Sequence, residues 1–203
     1  IDETGMIRVF VASTTNMVEE ARLAHNTSPT ATAALGRSLT AATIMGSMMK
    51  NEQDRLTLRI SGDGPIGNIV IVADNKGDVK GYVDRPGVDL PSREDGKLDV
   101  RGVVGTSGNV TVIMDLGLKD PYVGQAEIIS GEIAEDIAAY YAISEQQPSA
   151  VSLGVLVDTD ISVKAAGGYI IQLLPGVLEE DIDRIEKTLS SVEPVSALID
   201  RGM

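Results

Sequence analysis

An α+β fold, with mostly antiparallel strands packed against helices, is what this sequence predicts. Two observations carry that prediction. Apolar residues recur with period two in several short segments and with helical period in others. The strand-like segments also follow one another across polar turns instead of alternating with helices, as a parallel sheet would require. A chain of 203 residues with 43% hydrophobic and 23% charged residues has an ordinary globular composition. At that length folding removes roughly 70% of the unfolded chain's surface from water, so a substantial core is expected.

The elements follow in order. Residues 6–12 alternate around Ile7, Val9 and Val11 and read as an opening strand, with apolar Phe10 as the irregularity. Thr14 and Thr15 can cap a helix over 14–26, with Glu19 and Glu20 placed toward its positive end. Ser28-Pro29 is an N-cap followed by a first-turn proline, opening a long helix over 29–49. That helix is apolar all round, which predicts burial, and Gly36 and Gly46 mark places of close packing. Met45, Met48 and Met49 near its end read as core filler.

From Arg55 the period becomes two. Leu56, Leu58 and Ile60 form one strand face, 69–73 the next strand, and 78–84 a third after the turn Asp74-Asn75-Lys76-Gly77. Residues 85–97 read as a surface loop, with strands again at 110–116 and 123–129. Ser130-Gly131-Glu132 is expected to open a helix over 130–146, and a hairpin follows at 151–157 and 163–174. Both this hairpin and the one at 69–84 carry a Gly-Tyr pair, Gly81-Tyr82 and Gly168-Tyr169, a weak internal echo. After Pro175-Gly176, Leu178, Ile182, Ile185 and Leu189 form one apolar helical stripe, with acidic residues on the other face and near the helix start. Pro194 interrupts it, and Val195, Leu198 and Ile199 begin a second short helix. The expected division is a core domain over 1–176 and the start of a helical linker over 177–203.

Charge and residue inventory exclude several functions. Lys plus Arg total 17 against 30 for Asp plus Glu, a net charge of −13, and no basic patch is visible. Such a chain repels nucleic acid and anionic membrane, so neither is an expected partner. There is no run of the ~20 apolar residues that a membrane span needs. With no cysteine and one histidine, these residues offer no thiolate, disulfide or zinc ligand set, and no cofactor is expected in them. The chain opens on Ile1, shows no secretory signal, and reaches Met203 inside a helical pattern, so a soluble, intracellular piece of a longer protein is expected.

Three motifs invite an enzymatic reading. Gly62-Asp63-Gly64-Pro65-Ile66-Gly67 has the spacing of a dinucleotide loop, but the residues after it read as strand, where the fingerprint needs a helix. Ser47-Met48-Met49-Lys50 matches the serine-acylase S-x-x-K pattern without either partner motif, and Ser47 lies among residues that read as buried. His25 sits at a helix end, where dipole stabilisation accounts for it. Glu132, Glu135 and Asp136 are expected to serve the helix dipole and solvent rather than a metal. A small-molecule-binding or acylase-like enzyme at Gly62, Gly67 or Ser47 stays open as the alternative to a binding protein.

Several runs together resemble one family. They are Ala33-Ala34-Leu35-Gly36-Arg37-Ser38-Leu39-Thr40-Ala41, the Gly62 to Gly67 loop, Gly77-Asp78-Val79-Lys80-Gly81-Tyr82-Val83 and Gly96-Lys97-Leu98-Asp99-Val100. In order after them come Ser130-Gly131-Glu132-Ile133-Ala134-Glu135-Asp136, Ser144-Glu145-Gln146-Gln147-Pro148-Ser149-Ala150-Val151, and Ala166-Gly167-Gly168-Tyr169 leading to Pro175-Gly176. This set resembles the redox-regulated heat shock protein 33 family, the bacterial 33-kilodalton chaperonin. The resemblance implies a cytoplasmic, ATP-independent holdase that binds unfolded or partly folded client proteins under oxidative stress, with a homodimer possible. It also implies a carboxyl-terminal zinc module with a redox-active cysteine set, which is absent from these residues. In this frame Leu178, Ile182, Ile185 and Leu189 become the expected switch or client interface.

Overall fold

The computed structural model describes residues 5–202. Strand β1 (Ile7–Ser13) leads into helix α1 (Thr15–His25) and then α2 (Pro29–Ser47). An antiparallel run follows: β2 (Arg55–Gly62), β3 (Asn68–Asp74), β4 (Val79–Val83), the short helix α3 (Val100–Val104), β5 (Gly108–Asp115) and β6 (Tyr122–Glu127). Helix α4 (Ala134–Ile143) connects to β7 (Ser149–Val157) and β8 (Val163–Leu173), and α5 (Glu179–Ser191) and α6 (Val195–Asp200) close the chain. Two sheets result, β1-β8-β7 and β4-β3-β2-β5-β6, with every pairing antiparallel. The predicted fold class is the observed one. The two hairpins sharing a Gly-Tyr pair lie in different sheets, β3–β4 in one and β7–β8 in the other.

Helix α2 runs between the two sheets, which is why its sequence has no polar face. Fifteen of its nineteen residues are buried, among them Leu35, Leu39 and Ile44. Each such side chain withdrawn from water contributes about 1.5–3 kcal/mol. Its buried hydroxyls are satisfied: Ser38 donates to the Ala34 carbonyl, Thr40 to that of Gly36, and Thr30 to the Asp89 carboxylate outside the helix. Ser28 accepts from the Ala31 amide at 3.2 Å, with Pro29 in the first turn, as the sequence predicts. A Cβ on Gly36 would lie 2.6 Å from Val18 Cγ1, and one on Gly46 would lie 2.4 Å from the Asp74 carbonyl oxygen. Both glycines therefore set the approach of α2 to its neighbours.

Local expectations fail where a side chain finds a tertiary partner. Thr14 is the N-cap of α1, yet its hydroxyl bonds Thr40 Oγ1 at 2.7 Å instead of capping. Glu19 serves no dipole; it binds Arg22 and accepts the Val163 amide at 2.9 Å. Helix α4 begins four residues later than predicted and ends earlier, at Ala134–Ile143. The cause is Asp136, which is fully buried and draws the preceding loop over itself. Its carboxylate accepts from the backbone amides of Ile129, Ser130 and Ile133, each at 2.9 Å, and from Gly131 at 3.3 Å. Helix α3, unpredicted, is capped by Asp99 onto Gly102 and buries Val100, Val103 and Val104.

Candidate functional site

The outward face of the three-stranded sheet carries the two last helices, and they sit on it in different ways. Gly154 and Gly167 are register partners across β7 and β8. A Cβ on Gly154 would lie 2.9 Å from Ser196, and one on Gly167 would lie 2.3 Å from Ile199 Cδ1. Helix α6 thus seats into a slot floored by glycine, with Val195 buried and Lys164 pairing with Asp200 at 3.1 Å. Sequence reading missed this pair; the available signal was glycine inside two otherwise apolar strands, where another backbone approaches closely.

Helix α5 rests on the same face without a buried residue. Ile185 and Leu189 face Ile7, Val9 and Ile171 across a gap of about 230 Å³, while Ile182 turns toward Leu173 and Val177. Leu178, the N-cap, is 58% exposed and stands outside the stripe's contacts. The structure therefore brings Ile182, Ile185 and Leu189 to the sheet and leaves Leu178 largely in solvent. Every hydrogen bond and ion pair of α5 among the described residues is local: Asp181 pairs with Arg184 at 2.8 Å, and Thr188, Ser190 and Ser191 donate to carbonyls one turn back. Its first turn carries Glu179, Glu180 and Asp181, as the dipole favours. Beyond it, Val11 of β1 is 71% exposed on the same face.

The alternative sites resolve into structural roles. In the glycine loop, the amides of Gly64 and Ile66 donate to the carbonyls of Val104 and Val103, each at 3.0 Å. A Cβ on Gly62 would lie 1.9 Å from the Val104 oxygen, so the glycines let the loop lie against α3, where the Gly64 and Ile66 amides are taken. Strand β3 follows directly, where a dinucleotide site needs a helix. Ser47 is exposed, against expectation, because α2 emerges from between the sheets at its last turn. Its hydroxyl donates to the Ile44 carbonyl at 2.7 Å, and no base hydrogen-bonds it among the described residues. Met45 is buried, and Met48 and Met49 are partly buried and pack against the core; all three also line a cavity.

His25 is exposed in the last turn of α1, where a cation suits the helix dipole. The three acidic residues near α4 diverge: Glu132 bridges Arg37 at 2.7 Å and Arg93 at 3.0 Å, Glu135 is exposed, and Asp136 is enclosed by amides. The dipole-and-solvent expectation thus holds only for Glu135. Residues here do not fit a zinc ion: the chain has no cysteine, and the described residues contain no group of three or more His, Cys, Asp or Glu placed to hold a metal. No helix among the described residues is long and apolar enough to cross a membrane.

Comparison with known proteins gives one answer. The Hsp33 protein family model matches residues 1–202. The 33 kDa chaperonin of Alkaliphilus oremlandii is 54% identical over 198 residues, covering 98% of this chain and 66% of the relative. That of Staphylococcus carnosus is 54% identical over 199 residues, covering 98% and 67%. The crystal structure of the 33 kDa chaperonin (heat shock protein 33 homolog) from Thermotoga maritima superposes with a TM-score of 0.94 at 41% identity, covering all of this chain and 69% of that one. The chain thus spans about two thirds of the length of the relatives it matches. With the family model, the sequence relatives and the fold in agreement, the chain belongs to the Hsp33 family of chaperonins.

Proposed function

We propose that these residues form the client-binding part of an ATP-independent holdase, acting in the cytoplasm on unfolded or partly folded proteins. Membership in a chaperonin family supports the reading, and the seating of α5 is the observation that carries it. An amphipathic helix with no buried residue and, among the described residues, no polar tie to the domain is held by a small apolar contact. Local opening of such an element costs far less than global unfolding. Its departure would uncover Ile7 and Ile171 beside the already exposed Val9 and Val11, an apolar strip suited to unfolded chains. In this reading residues 1–176 are the working domain and 177–203 a movable cover, with Ile182, Ile185 and Leu189 as the switch surface. A net charge of −13 keeps loaded complexes in solution. Redox control belongs to a zinc and cysteine module outside these residues, and a second copy is a further partner for the uncovered strip.

The test is aggregation. A chemically unfolded client is diluted with and without this chain, in the absence of ATP, and light scattering is followed. Substoichiometric chain lowers scattering if the proposal holds; unchanged scattering over a range of ratios contradicts it. The acylase alternative makes a separate demand, since Ser47→Ala would then abolish an activity, whereas a holdase is indifferent to it.

A further inference from the structure

Beyond the end of α2, residues of both sheets, α2 and α4 line an open cavity of about 450 Å³. That volume falls in the range of small-molecule sites. Its apolar wall is built from Met45, Met48, Met49 and Met114, four of the chain's seven methionines. Unbranched thioether side chains adapt to the shape of whatever they contact, so this wall accepts a flexible apolar chain.

The same lining carries polar and charged side chains. Gln172 on β8 is 4% exposed and lines the cavity, and its side-chain amide, which makes no hydrogen bond among the described residues, opens onto the cavity space. Arg8 stands directly across the β1–β8 ladder from Gln172, on the same face and about 5 Å away between Cβ atoms. Neither Arg8 nor Lys50, which also lines the cavity, has an acidic partner among the described residues.

The acids that line the cavity are already engaged. Asp54 accepts the Asn51 backbone amide at 3.0 Å and its side-chain amide at 3.2 Å. Glu145 accepts the hydroxyls of Tyr122, at 3.0 Å, and Tyr140. Burial, with Glu145 beside it, pushes the Tyr140 hydroxyl far above its ordinary range, so it remains a donor. The free donors of the lining are therefore those of Arg8, Lys50 and Gln172, beside the methionine wall.

We propose that this cavity binds an alkyl carboxylate, the carboxylate meeting Arg8 and Gln172 with Lys50 nearby and the alkyl chain lying along the four methionines. The site is independent of the holdase reading and of the surface under α5. The chain labelled with [methyl-¹³C]methionine is titrated with decanoate and, separately, with decan-1-ol. Saturable shifts are expected at the methyls of Met45, Met48, Met49 and Met114, leaving Met17 unmoved. Loss of a charge-assisted contact should make Arg8→Ala, an exposed position that leaves the fold intact, bind decanoate roughly tenfold more weakly. Gln172→Leu should weaken it too, Arg8→Lys should restore part of the loss, and decan-1-ol should bind more weakly than decanoate. Absence of saturable shifts at these four methyls would overturn the proposal. So would equal affinity for decanoate and decan-1-ol, or for the native chain and Arg8→Ala.

Discussion

Helices α5 and α6 lie on one face of one sheet, a few residues apart in sequence, and are held by different physics. Helix α6 has only six residues and a weak stripe, yet it sits against backbone because Gly154 and Gly167 remove the side chains that would hold it off. Helix α5 has thirteen residues and a clear apolar stripe, yet it buries none of them, because it rests on β-branched and branched side chains that leave a gap beneath it. An amphipathic pattern therefore tells which side of a helix faces a sheet. How firmly it docks is set by the surface opposite, in strands distant in sequence.

The largest expected effect comes from filling the slot. Gly154→Val would drive a side chain into Val195 and Ser196, and overpacking of this kind costs about 1–3 kcal/mol. Urea unfolding should show the loss, and limited proteolysis should cut after residue 176 far faster than in the parent chain. Equal cleavage would mean that the glycine slot does not hold α6. A smaller stability change, under about 1 kcal/mol, is expected from Ile182→Ser with Ile185→Ser, since neither side chain is buried. Holdase activity in the scattering assay should nevertheless rise, because the cover is weakened while the domain is spared. Stability falling as far as in Gly154→Val would erase the contrast between the two helices.

Much of this was legible in sequence for a physical reason: period and capping are local. The burial of α2 follows from its missing polar face, the antiparallel order from the hairpin spacing, and the failure of the glycine loop as a nucleotide site from the β-branched residues after it. Register is not local. Nothing near Gly154 announces that it will face Gly167, nor does anything near Arg8 place it across from Gln172. Asp136 misled for the same reason: a carboxylate in the first turn ordinarily serves a dipole, but here it gathers a preceding loop whose path only the fold determines. Ser47 and Met48 read as buried because their helix is, although α2 emerges from between the sheets just there.

The smallest effect concerns the far end of β8, where Glu19 accepts the Val163 amide and pairs with Arg22 at 2.6 Å. The Arg22 hydrogen bond, above all, holds the Glu19 carboxyl below its ordinary value of 4.5. A carboxylate depressed in the folded state contributes stability that is fully present above its unfolded pKa. That contribution is lost as pH falls from about 4.5 through the folded value. Glu19→Gln should therefore be less stable than the parent at neutral pH and lose less on acidification, without altering proteolysis after residue 176. A pH-independent difference in unfolding midpoint would remove the ion pair from the account.

Native-state hydrogen exchange tests the central claim most directly, since it reads the opening free energy of α5, α6 and β7 in one experiment. The account predicts that amides of α5 exchange by local opening at far lower free energy than those of β7, with α6 more protected than α5 despite being half its length. Protection in α5 equal to that in β7 would make it fixed core, and the movable cover would be wrong.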